Sequence, residues 1–177
     1  MVPVRHLIDY ISKKYRGSKY LSIEMLSHIL FLVDWYYTIK TGEPLSDAEW
    51  VLTQSGPVAN GLEELISESK ELAVVNIMNY YGEYSPYILV QPWYGGFYSG
   101  PLKREVRLFV DKVLADIAHS NPNEFVDKVE SSYPILTSNF DEAMNLPLLR
   151  DGYRQWLKVN TRQNSTGSFT NLPAVKS

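Results

Sequence analysis

The sequence of 177 residues is long enough for one domain with a buried core. Hydrophobic residues make up 45% and charged residues 21%, which is typical of globular proteins, and no apolar run reaches the roughly 18 residues of a membrane span. The lack of cysteine excludes disulfides and thiolate chemistry, and a net charge of −3 gives no general attraction to nucleic acid. Since the N-terminus also has no signal-peptide pattern, we expect a cytoplasmic protein.

The first two predicted elements are helices. One is predicted over residues 3–15, because its apolar residues recur at helical spacing, and Gly17 is expected to terminate it. The next, over residues 22–40, is apolar nearly all round, a pattern typical of a helix at the centre of a bundle. Gly42 and Pro44 are expected to end it.

A third helix is predicted to begin at Ser46 and to end near residue 53. Ser46 and Glu49 fit the S-x-x-E capping box, while Leu45 and Trp50 occupy the positions of a hydrophobic staple. We therefore expect these four residues to stabilise the fold rather than to contact a partner.

The pattern then changes from helix to strand. The triplet Gly56-Pro57-Val58 is predicted to turn the chain into a helix over residues 57–70, with proline in its first turn. Residues 72–80 and 87–91 are rich in β-branched and aromatic residues and flank Gly82, which predicts a hairpin.

The C-terminal part is predicted to return to helix. Residues 103–119 have helical periodicity, Asn121 is placed to cap another helix, and short helical turns are expected between residues 140 and 157. We predict an α+β fold, mainly α-helical with a small antiparallel β-hairpin or sheet, as a single domain over residues 1–157. The polar residues 158–177 are expected to form an extended or disordered tail.

The sequence carries no recognisable catalytic or metal-binding pattern. There is no H-E-x-x-H motif, no G-x-S-x-G elbow and no phosphate-binding glycine loop. Glu24 and His28 lie one helical turn apart, but two positions do not make a metal site, and His6 and His119 are on other segments. We expect no enzymatic activity, no cofactor and no bound metal.

DNA binding is a structural alternative that the charge argues against. A helix over residues 47–53, a turn, a helix over residues 57–70 and a hairpin follow the order of a winged helix-turn-helix. The helix that would contact DNA is acidic, whereas phosphate contact requires basic side chains. Its acidic residues are Glu63, Glu64 and Glu68.

Two features are candidates for partner binding. Asp34 lies in an apolar helix and needs partners there: backbone or tyrosine hydroxyl groups if it is structural, or a partner protein if it reaches the surface. Rigid aromatic rings among glycine and serine residues are typical of protein-recognition surfaces, although such rings could instead cover one end of the core. The aromatic candidates are Tyr80, Tyr84, Trp93, Tyr94, Phe97 and Tyr98.

Three segments together carry a resemblance to a known family. Residues 32–37 read Leu-Val-Asp-Trp-Tyr-Tyr, residues 42–50 contain a Gly-x-Pro-Leu turn followed by an acidic stretch with a tryptophan, and residues 56–58 read Gly-Pro-Val. In this order and spacing the chain resembles the Panacea family, the SocA-like antitoxin domain of bacterial toxin–antitoxin loci and phages. The family's usual His-rich C-terminal segment is replaced here by the residues Tyr-Pro-Ile-Leu at 133–136.

The resemblance implies a protein that binds a cognate toxin and blocks it by non-covalent occlusion. Such a role requires no chemistry and no membrane, and it leaves the identity of the toxin and the oligomeric state open. A phage or prophage accessory protein that binds a host or virion protein is the runner-up. A winged-helix DNA-binding regulator is the third possibility.

Overall fold

The computed structural model describes residues 1–15, 21–78, 82, 84–90 and 100–164, with side chains to residue 161. Within these ranges the chain forms seven helices and six short strands, so the predicted α+β, mainly helical class is confirmed. The helices are α1 (Val4–Lys14), α2 (Ile23–Thr41), α3 (Leu62–Ser67), α4 (Arg104–Ala118), α5 (Pro122–Glu130), α6 (Tyr133–Thr137) and α7 (Leu146–Asn164). The strands are β1 (Leu21–Ser22), β2 (Trp50–Thr53), β3 (Gly56–Ala59), β4 (Leu72–Met78), β5 (Tyr84–Val90) and β6 (Ala143–Met144).

Helix α2 is the centre of the core, as predicted. Every residue from Leu26 to Trp35 is buried, and helices α1, α4, α5 and α7 contact it from different sides. Ser22 caps its start by accepting a hydrogen bond from the Met25 amide at 3.0 Å. Gly42 ends it with φ +104°, a conformation that favours glycine.

The predicted third helix is wrong, because Trp50–Thr53 is strand β2. It pairs with β3 in an antiparallel hairpin whose turn ends at Gly56, and β6 pairs with its other edge. Along β2 the burial alternates, with Trp50 and Leu52 in the core and Val51 half-buried. This period of two is that of a strand, so the capping-box and staple pattern did not define a helix here.

The helix predicted over residues 57–70 is reduced to the short helix α3. Residues 56–59 belong to β3, and Gly61 adopts φ +71° before α3 begins. The described residues therefore do not contain the helix–turn–helix order on which the winged-helix alternative rested.

The second hairpin is confirmed. Strands β4 and β5 pair from Leu72 opposite Val90 to Met78 opposite Tyr84, and β1 pairs with the other edge of β5. The two three-stranded sheets have the orders β1-β5-β4 and β3-β2-β6.

The C-terminal part is helical, as predicted, but its last helix is longer than expected. Asn121 caps α5 in a complete capping box with Glu124, as its sequence indicated. Helix α7 replaces the expected short turns and extends to Asn164, past the predicted start of the tail at Lys158. Residues 165–177 of that predicted tail lie outside the described residues. No helix in the described part of the chain could cross a membrane.

Candidate partner-binding site

Asp34 is a structural residue at the junction of α2 and the first hairpin. Its side chain is 0% exposed and accepts hydrogen bonds from the Ser46 amide at 2.8 Å, the Ser46 hydroxyl and the Trp50 indole N–H at 3.0 Å. Burial raises the pKa of the Asp34 carboxyl, although the bonds from Ser46 and Trp50 oppose this shift. Since Asp34 has no exposed surface, the predicted role in partner contact is not supported.

Two residues of the predicted cap and staple, Ser46 and Trp50, therefore donate hydrogen bonds to Asp34 instead of stabilising a helix start. Leu45 and Trp50 are buried, and the Trp50 ring packs edge-to-face on Phe31 with centroids 5.3 Å apart. Glu49 is exposed, and its carboxylate accepts a hydrogen bond from the Asn60 side-chain amide at 3.5 Å. The sequence indicated the burial of Trp50 but not its hydrogen bond to Asp34.

The Gly-Pro-Val triplet packs against α2. A Cβ atom at Gly56 would collide with Nε2 of His28, and Gly56 adopts φ +101°. His28 donates through Nε2 to the Ser55 carbonyl at 3.0 Å, while Ser27 donates to the Pro57 carbonyl at 2.7 Å. Burial lowers the pKa of His28, so the triplet and a neutral histidine form one packed unit.

Two connected clefts lie beside this unit. A cleft of about 460 Å³ separates the start of α2 from β3 and α3, and a second of about 460 Å³ continues from it to β4. Ile23, Glu63, Glu64 and Pro86 line both clefts. We call their combined surface the acidic groove, defined by Ile23, Glu24, Glu63, Glu64, Val74 and Pro86.

The acidic groove combines an apolar floor with unpaired carboxylates. Glu24, Glu63 and Glu64 are exposed, and none of them forms an ion pair within the described part of the chain. No lysine or arginine occurs among the residues that line the two clefts. Such a surface is complementary to a basic side chain whose aliphatic stem lies on the apolar floor.

The second hairpin borders the groove and exposes apolar side chains. Val74 is 43% exposed, Met78 58% and Tyr84 69%, and Tyr84 lies opposite Met78 in the ladder. Tyr84 is thus accessible, and its role in partner contact stays a prediction. The other predicted aromatic contacts, Tyr80, Trp93, Tyr94, Phe97 and Tyr98, lie outside the described residues.

An aromatic cleft at the other end of α2 was not predicted. It has a volume of about 270 Å³ and lies between α2, α6 and α7. The Tyr153 ring packs on Trp35 at 5.7 Å, on Tyr133 at 5.5 Å and on Trp156 at 6.0 Å between centroids. The spacing of Tyr153 and Trp156 was the available signal, but it was missed because this segment was read as short turns.

Across the residues that the structure describes, no group of three His, Cys, Asp or Glu side chains could hold a metal ion.

The comparisons with known proteins identify the family. The family model described as antitoxin SocA-like, Panacea domain, matches residues 26–134, which is more than half of the chain. The match begins in α2 and ends in α6, so it includes both hairpins and four of the six residues that define the acidic groove.

The fold is thus that of an α+β domain of the Panacea type. The chain belongs to the family of SocA-like antitoxins. No curated protein and no solved structure matches it significantly.

Proposed function

We propose that this chain is an antitoxin that binds a toxin encoded by a neighbouring gene and blocks it by non-covalent occlusion. The observation that carries the proposal is the family match over residues 26–134. That range includes most of α2, both hairpins and the α3, β4 and β5 residues of the acidic groove.

The surface of the chain supports binding rather than catalysis. Occlusion requires only an accessible surface complementary to the toxin, and the second hairpin and the acidic groove provide apolar and acidic surface side by side. His28 is engaged by the Ser55 carbonyl and packed against Gly56, so it is poorly placed to transfer protons. We accordingly propose that the chain has no enzymatic role and that it acts in the bacterial cytoplasm. A gene carried by a phage or prophage is compatible with this role and this location.

Co-expression tests the proposal. Cells that express the neighbouring gene alone should stop growing, and co-expression of this chain at equal level should restore growth and give a complex that co-purifies. The control is Trp50→Ala, which removes a core ring and should weaken rescue because it destabilises the fold. If the folded wild-type chain neither rescues growth nor binds that product, the antitoxin proposal fails and the phage accessory alternative takes its place.

A further inference from the structure

Among the residues that the structure describes, strand β4 is an open sheet edge. In the sheet order β1-β5-β4 it pairs with β5 alone, and no other backbone hydrogen bond of residues 72–78 is found in the part of the chain that the structure describes. In an antiparallel pair, successive residues direct their amides to opposite sides of the strand. About half of the amide and carbonyl groups of β4 therefore point to the open edge.

The sequence of β4 has none of the usual protection of a sheet edge. Its residues, Leu-Ala-Val-Val-Asn-Ile-Met, include no charge and no proline, and its ladder with β5 is uninterrupted by a bulge. The other sheet edges differ: β1 and β6 have two residues each, and β3 has four, among them Gly56 and Pro57. Among the described strands, β4 is therefore the long edge that remains free to pair.

The acidic groove adjoins this edge. Val74 and Asn76 of β4 line the second cleft together with Glu63, Glu64 and Ser67 of α3. An extended segment laid along β4 would place side chains next to these carboxylates. Charge complementarity therefore favours a segment that carries lysine or arginine.

We propose that β4 binds an extended, basic segment of the protein partner as an added strand, with lysine or arginine side chains reaching Glu63 and Glu64. This inference rests on the proposed antitoxin function and specifies how the partner is held. Main-chain hydrogen bonds to β4 supply affinity, and the groove supplies specificity. A second copy of this chain fits less well, because symmetric pairing of two β4 strands brings two sets of like charges together.

Amide hydrogen exchange tests the added strand directly. NMR of the free chain should show alternating protection along residues 72–78, since the ladder protects only the amides that face β5. Addition of the neighbour-encoded toxin should protect the remaining amides of β4. Unchanged exchange of these amides in a saturated complex would overturn the proposal. Protection of the same amides in the free chain at high concentration, with formation of a dimer, would show that β4 pairs with a second copy instead.

Two adjacent proline substitutions, Val75→Pro and Asn76→Pro, form a matched pair. One removes an amide that faces β5 and should lower the melting temperature, whereas the other removes an amide at the open edge, where proline is tolerated. The variant that keeps its melting temperature should lose affinity for the toxin by about thirtyfold or more. Full affinity in that variant would contradict strand addition.

Charge reversal tests the groove separately. Glu63→Lys and Glu64→Lys should each weaken toxin binding by about tenfold or more at low salt, with a smaller effect at high salt. Glu142→Lys is the control, because Glu142 is exposed and lines neither cleft. Equal effects of the three substitutions would overturn the role of the groove.

The two levels of the proposal fail in different ways. A folded wild-type chain that does not bind the toxin overturns the antitoxin function and with it the added strand. The other result is a wild-type chain that binds and neutralises the toxin while the exchange of its β4 amides is unchanged and the proline and charge-reversal variants keep wild-type affinity. That result overturns only the added strand.

Discussion

The indole N–H of Trp50 donates a hydrogen bond to the Asp34 carboxylate at 3.0 Å, and this contact joins the first hairpin to the central helix. Asp34 also accepts from the amide of Ser46, so one buried carboxylate holds the loop between α2 and β2. The Asp-Trp and Gly-x-Pro-Leu segments on which the family resemblance rests are thereby brought into contact. The contact between the two segments shows that Asp34, Ser46 and Trp50 stabilise the fold.

Replacement of Trp50 should destabilise the chain severely. Trp50→Ala removes a ring that is 2% exposed and should lower the free energy of unfolding by about 3–5 kcal/mol. Trp50→Phe keeps much of the ring but loses the bond to Asp34, for which about 1–3 kcal/mol is expected. Urea unfolding measures both, with the exposed Glu49→Ala as control. A folded, equally stable Trp50→Ala chain that had lost only partner binding would show that Trp50 is a contact residue.

Gly56 should tolerate no side chain. Gly56→Ala forces a Cβ atom against the His28 ring and places alanine at φ +101°. Gly82→Ala is the matched control, because Gly82 also has a positive φ, of +83°, but has open space around it. The control should show only the backbone strain of about 1–2 kcal/mol, and Gly56→Ala should cost clearly more. Thermal and urea unfolding measure both variants. An equal loss of unfolding free energy in Gly56→Ala and Gly82→Ala would mean that the His28 ring moves aside without cost.

The contribution of His28 to the stability of the chain should decrease as the pH falls below about 6.5. Burial lowers the pKa of His28 from its ordinary value of 6.5, so below that value the unfolded chain binds a proton that the folded chain does not. This group therefore stabilises the fold fully above pH 6.5, and its contribution decreases by up to about 1.4 kcal/mol per pH unit below it. His28→Gln should remove this dependence, measured by urea unfolding at pH 7.5 and 5.5. The exposed His119→Gln should leave it in place, and a slope that survives in His28→Gln would assign it to another group.

Tyr84 should contribute to partner affinity without contributing to stability. Its side chain is 69% exposed at the end of the second hairpin, so Tyr84→Ala should leave the melting temperature unchanged. Loss of a central aromatic contact typically weakens binding by about 2 kcal/mol or more. Leu148→Ala is a matched control, since Leu148 on α7 is also 69% exposed. Equal toxin affinity of the two variants would remove Tyr84 from the interface.

The central helix and the second hairpin could be predicted because their signals are local. Apolar residues on every side of residues 26–35 predict a buried helix, and β-branched residues on both sides of Gly82 predict a hairpin. Each of these patterns agrees with the environment that the residues meet in the fold.

The first hairpin was missed because a local helix-start pattern competes with a contact made in the tertiary structure. Ser46 could cap a helix, but its hydroxyl bonds to Asp34, which lies on another element. The strand signal was nevertheless present, since Trp50-Val51-Leu52-Thr53 is rich in aromatic and β-branched residues and precedes Gly56. No spacing rule predicts which buried donors a lone carboxylate will find.

Helix α7 was predicted only as short helical turns, although its proline and glycine are both compatible with one long helix. Pro147 lies in the first turn of α7, where its missing amide is tolerated. Gly152 lies against Tyr133, whose hydroxyl would be 2.7 Å from a Cβ atom at that position. The glycine thus permits close packing of α6 on α7, and only the fold reveals this role.

The most direct test of the account is titration of the purified neighbour-encoded toxin with this chain, followed by recovery of the toxin. Occlusion predicts inhibition that is complete at a fixed stoichiometry, and an unchanged intact mass of the toxin after separation in denaturant. The refolded toxin should regain its activity. A toxin that stays active at saturating chain, or that is recovered with an altered mass, would contradict neutralisation by non-covalent binding.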